Sequence, residues 1–195
     1  MSLLSKHTAA LLLAAIAGLA VVPAQAAPAK PSSEAPAQKV SMLAGKFTFN
    51  LPKGFTATPL PAGEATQGTA GATGTMYSNA TSRTVVITAE NIIIGGTSVK
   101  DDDSAFLDTT MADFAAQRIK ALPDAKILSE KSLTQKGSGL GLRQLDTSAT
   151  QGGGPTLDTT LLGASGTRMA VVQIISRASD KAGHEALVKR IASGQ

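Results

Sequence analysis

Cysteine and tryptophan are absent from the 195 residues, tyrosine occurs once, and the only histidines are His7 and His184. Without cysteine there is no disulfide framework, no thiolate metal site, no cysteine nucleophile and no lipid-bearing cysteine. Two histidines exclude most zinc sites, and any His-assisted nucleophile has to run through His184. With 3% aromatic residues the chain lacks the stacking platforms that sugar-cleaving clefts use. Charge is sparse too. The 18 basic and 14 acidic residues are scattered, with no clustered basic stripe of the kind nucleic acid requires, so no nucleic-acid partner is expected. At 43% apolar residues the composition is that of a globular chain of one domain.

The N-terminal segment reads as a secretory signal. Lys6 and His7 precede an apolar run from Thr8 to Val22, Pro23 ends it, and Ala24-Gln25-Ala26 has the small-x-small pattern of a cleavage site between Ala26 and Ala27. The run spans about 15 residues, short of the roughly 20 that cross a bilayer core, so cleavage is favoured over a retained anchor. Lys6 is the one charged residue removed, which leaves 17 basic against 14 acidic groups in a soluble exported chain with no stable membrane insertion. Residues 27–39, rich in Ala, Pro and Ser, are expected to be a flexible leader. The domain follows over 40–195.

Strand patterns alternate with turn signals along that domain. Phe47, Phe49 and Leu51 lie on one side of an extended segment that Pro52-Lys53-Gly54 turns. Residues 61–75 read as an exposed loop, Thr75–Tyr77 as the start of a short strand, and 83–94 as a richer strand broken by Gly95-Gly96. Asp101-Asp102-Asp103-Ser104 supplies a cap and negative charge for a helix whose stripe comprises Leu107, Met111, Phe114, Ala115, Ile119 and Leu122. Four strands are predicted over 126–135, 140–150, 156–163 and 168–176, joined by Gly-rich hairpin turns. A last helix over 180–192 turns Leu187, Val188 and Ile191 inward. Successive hairpins argue for an α+β fold: an antiparallel sheet with two main helices, on one face or split between both.

Val40–Lys46 followed by Phe47-Thr48-Phe49-Asn50-Leu51-Pro52 is similar to the opening strand of the DcrB family of bacterial envelope proteins. Gln144-Leu145-Asp146, Leu161-Leu162-Gly163 and the Met169–Ile175 strand running into the final helix carry the same resemblance across the globular part. It implies a PsbP-like fold and a periplasmic, non-enzymatic role in envelope integrity or phage entry. That role would be exercised on an envelope protein or the cell wall. Enteric DcrB proteins bear a lipidated cysteine after the signal, whereas Ala24–Ala27 stand here, so lipid anchoring is excluded.

Other constellations have plainer explanations. Asp101, Asp102 and Asp103, with Asp108 nearby, are the candidate metal ligands. Their spacing departs from the calcium-loop pattern, and helix capping accounts for them without a cofactor. Gly137-Ser138-Gly139-Leu140-Gly141 and Gly152-Gly153-Gly154 lack the Lys-Ser/Thr of a phosphate loop and read as turns. Gly163-Ala164-Ser165-Gly166 misses the nucleophile elbow by one residue, and Asn79-Ala80-Thr81 is a chance glycosylation sequon. His184 is expected on the solvent side of the last helix, so no catalytic residue is assigned. Recognition is expected from the loops at 61–75 and 150–155. A carrier holding a small ligand or metal between sheet and helix is the second reading, and a hydrolase built on His184 the third.

Overall fold

A computed structural model describes residues 35–63 and 70–195. The signal segment, the Ala26-Ala27 junction, leader residues 27–34 and loop residues 64–69 lie outside the described residues. Two β-sheets and two α-helices, with short 3-10 turns between them, make up the described part. The first sheet is a hairpin of β1 (Gln38–Met42) and β2 (Phe47–Leu51), with Val40 opposite Phe49 and Met42 opposite Phe47. Strand β1 thus begins at Gln38, inside the segment expected to be a flexible leader. Its turn holds Leu43 and Ala44 in left-handed backbone, φ 51° and 54°, an uncommon state for residues with a Cβ. Glu90 offsets that strain by accepting the Leu43 N–H at 2.9 Å while pairing with Arg168.

The second sheet has seven antiparallel strands in the order β3 (Thr56–Pro59), β4 (Thr73–Asn79), β5 (Thr84–Ile92), β9 (Arg168–Arg177), β8 (Gly154–Ser165), β7 (Gly141–Gln151) and β6 (Lys126–Thr134). Strand β3 escaped sequence reading because all four of its residues are exposed and Pro59 suits only an edge. Asn79, the sequon residue, closes the β4–β5 hairpin: its Oδ1 accepts the N–H groups of Thr81 and Ser82.

The two helices are split between the faces of this sheet. Helix α1 (Ser104–Ala121) starts at Asp103, whose side chain accepts the Phe106 N–H. It buries Leu107, Met111 and Phe114 against Leu145, Leu162 and Val171. Ile119, expected on the buried stripe, is 45% exposed, and Arg118 is buried in its place. Helix α2 (Lys181–Ser193), capped by Asp180 and closed by left-handed Gly194, covers the other face together with the β1–β2 hairpin. There Leu187, Val188 and Ile191 meet Phe47, Leu161 and Ile174. Strand β9 lies under both layers and is buried continuously from Met169 to Ser176, which is why its sequence is an apolar run and not an alternation.

Candidate functional site

Strand alternation sends Asp146 of β7 and Thr159 of β8, which are register partners, to the face covered by α2. Helical spacing sends His184 to meet them, because His184, Leu187, Val188 and Ile191 form one inward stripe. A cavity of about 620 Å³ opens at this place, between α2 and strands β6, β7 and β8. That volume falls in the range of small-molecule sites. One wall carries Lys181, Glu185, Val188 and Lys189 from α2, the other Leu128, Ser129, Lys131 and Leu133 from β6. Among the described residues no helix is long and apolar enough to cross a membrane.

The floor is a hydrogen-bonded chain. Ser129 donates to Asp146 Oδ2 at 2.6 Å, Gln144 Nε2 reaches both carboxylate oxygens at 2.8 and 2.9 Å, and Lys131 Nζ stands 3.3 Å away. Thr159 Oγ1 donates to Asp146 Oδ1 at 2.7 Å. Burial pushes the Asp146 carboxyl up, and the four donors outweigh it, leaving the group below the usual carboxylate range. Since Asp146 only accepts, the Thr159 hydroxyl proton is committed to it, and Thr159 Oγ1 accepts from His184 Nε2 at 2.9 Å. Bare Nδ1 then accepts from Ser176 Oγ at 3.1 Å. Burial lowers the His184 pKa, opposed by Asp146, Glu185 and Asp180, so the ring is neutral at physiological pH.

His184 is therefore not the exposed helix residue expected from its neighbours: it is 5% exposed and both ring nitrogens are used. Its three- and four-residue spacing to Leu187 and Val188 was the available signal. Ser176, the one hydroxyl that could be activated by Nδ1, is buried behind the ring, 3.4 Å from Thr84 Oγ1, and does not line the cavity.

The other sequence candidates are dispersed. Asp101 is held by Lys46 Nζ at 2.6 and 2.8 Å and by Ser165 at 2.7 Å, and the Lys46 bond above all keeps its carboxyl below the usual range. Asp102 is exposed, Asp103 caps α1 and Asp108 pairs with Arg143. Among the described residues no three His, Asp or Glu side chains gather as a cation site would need. Residues 150–155 form the tight β7–β8 turn, clamped by Arg177 to the Gln151 and Gly152 carbonyls at 3.1 and 2.5 Å. Neither they nor the described part of 61–75 touches the cavity.

Behind the same stretch of β8, on the α1 face, lies a second polar group that sequence reading missed. Arg118 of α1 pairs with Asp158, which also accepts from Gln173 Nε2 at 2.9 Å. Both charged side chains are almost wholly buried, and Arg118 Nε, Arg118 Nη1 and Gln173 Oε1 have no hydrogen-bond partner among the described residues. Burial pushes the Asp158 carboxyl up to about 6, against the pull of Arg118.

No protein-family model and no curated protein matches the chain. Among solved structures, the cyanobacterial PsbP protein CyanoP of Synechocystis aligns with 85% of this chain and 95% of its own, at a TM-score of 0.52 and 11% identity. The chain has a PsbP-like fold. A Pseudomonas aeruginosa protein of unknown function, PA94, aligns with 78% of this chain and 91% of its own at 14% identity, with a TM-score of 0.41. At such an identity the PsbP likeness concerns the fold alone.

Proposed function

We propose that the protein is an exported, periplasmic, non-catalytic binding protein of DcrB type, and that it engages an envelope component through the cavity under α2. The PsbP-like fold supports this reading, since it is the fold the DcrB resemblance implies. The leader read in residues 1–26 supports export. The observation that carries the reading is the state of the cavity floor. Asp146 is saturated by Ser129, Thr159, Gln144 and Lys131, and His184 spends both nitrogens on Thr159 and Ser176. Such a floor offers a ligand no free base and no activated hydroxyl; it offers apolar walls and lysine amines, which hold a molecule without transforming it.

The test is photo-crosslinking in cells that export the protein, with a photoreactive residue at Leu128 or Lys189 on the cavity mouth, or at exposed Ile119 on α1 as control. Adducts from the two mouth positions and none from Ile119 are expected. Equal labelling at all three positions overturns the proposal.

A further inference from the structure

The lining of the cavity goes further than binding in general. We propose that it takes a single-chain amphiphile with an anionic head, the tail laid along α2 and the head under the lysines of the mouth; this rests on the binding reading above.

Shape is the first argument. The helical wall runs from Lys181 to Ser193, twelve steps of about 1.5 Å, so the groove is about 18 Å long. A trough of that form fits a linear molecule better than a compact one. Polarity is the second. Leu128, Leu133, Leu157, Val188 and Ala192 line it, and Leu128 at its edge is 55% exposed beside Ile127 at 43%. Large side chains left in water next to a cavity are surface that an apolar chain would cover.

Charge decides the head group. Lys131, Lys136, Lys181 and Lys189 all line the cavity, against Asp146 and Glu185; the Asp158 side chain is turned to Arg118 on the other face. Asp146 is already compensated, and among the described residues neither Lys136 nor Lys189 forms an ion pair. Lysine suits such a mouth because its methylene stem lies along apolar surface while the amine stays wet. A cationic amphiphile would meet the two unpaired like charges of Lys136 and Lys189, since Lys131 pairs with Asp146 and Lys181 with Glu185. A peptide strand is disfavoured by where the groove lies. Strand addition would use the free main-chain edge of β6, the last strand of the sheet, whereas the groove lies over the face from which Ser129, Lys131 and Leu133 point towards α2.

The experiment is calorimetric titration of the protein purified from the periplasm with laurate below its micelle concentration. Dodecyltrimethylammonium serves as the charge-inverted match and anionic vesicles as a third arm. One laurate per chain is expected, with weaker binding as salt rises. The exposed-residue double variant K136A/K189A should bind laurate about tenfold more weakly, the effect of losing two partly screened charge contacts. Val188→Trp, which fills the trough, should abolish binding; if that variant fails to fold, the double lysine variant alone decides. The proposal is overturned if the cationic amphiphile binds as tightly, if K136A/K189A binds unchanged, or if only micelles or vesicles are bound. Loss of laurate binding with crosslinks retained at Leu128 and Lys189 would remove the ligand class and leave the binding reading; loss of both would remove both.

Discussion

Replacing Arg118 by Met strips the buried Asp158 carboxylate of its cation, and the cost follows from the geometry. Both groups are nearly sealed, at 2% and 1% exposure, and besides Arg118 the Asp158 carboxylate is held by neutral amide donors such as Gln173, with no second cation among its described partners. Even with Arg118 in place, burial holds the Asp158 pKa at about 6 against an ordinary 3.8, so the folded state carries that ionised carboxyl at roughly 3 kcal/mol at neutral pH. The pair is thus no net source of stability, while either half alone is worse: R118M and D158N should each cost about 3–5 kcal/mol. For a domain of this size that is a fall in melting temperature of about 10 °C or more. The double variant R118M/D158L, which removes both charges and the orphaned guanidinium nitrogens, should lie within about 1 kcal/mol of the parent or above it. Urea unfolding followed by circular dichroism at pH 7 measures all three. A further signature separates the singles. In R118M the Asp158 pKa rises further, so acidification through that value restores stability by protonating the carboxyl; D158N, whose stranded charge is a guanidinium, gains nothing. A double variant as unstable as the sum of the singles would refute the reasoning.

Three further outcomes are expected. His184 is neutral when folded and takes a proton below pH 6.5 when unfolded, so its contribution is full above 6.5 and is lost as pH falls through its depressed folded value. Asp158 acts in the opposite sense, its contribution being full below 3.8 and lost as pH rises through about 6. In His184→Leu only the Asp158 term remains, so stability should climb between pH 7 and 5 where the parent changes less; a variant that loses stability over that interval would contradict it. Gly163→Ala should destabilise by about 1–3 kcal/mol, since a Cβ there would stand 2.9 Å from Leu142 Cδ2 and 3.2 Å from Leu140 Cδ2, and thermal unfolding reads it. Ile191→Ala, deleting a fully buried side chain from the layer between α2 and the sheet, should cost about 2–5 kcal/mol in the same assay.

The strands legible in the sequence were those with one dry face and a turn at each end. Phe47-Thr48-Phe49 and the hairpins between 126 and 176 declared themselves that way, and Asp103 and Asp180 marked the helix starts. Strand β3 had no dry face to advertise, and β1 was hidden by the Ala/Pro/Ser-rich text before it. The candidate site was largely illegible. His184 sits among Lys181, Gly183 and Glu185, and its neighbours concealed what its spacing to Leu187, Val188 and Ile191 indicated. Arg118 was passed over for Ile119 because an apolar stripe does not predict a buried charge. Only its partner Asp158, 40 residues away, explains it.

Local chemistry alone therefore determined where strands turn, where helices begin and that the sheet is antiparallel, because caps, left-handed glycines and alternation act within a few residues. Which face each helix covers, and which polar side chains meet across β7, β8 and α2, was decided only in three dimensions. Asp146, Thr159, Ser176 and His184 are far apart in the chain, and what joins them is the register of three strands and the docking of one helix.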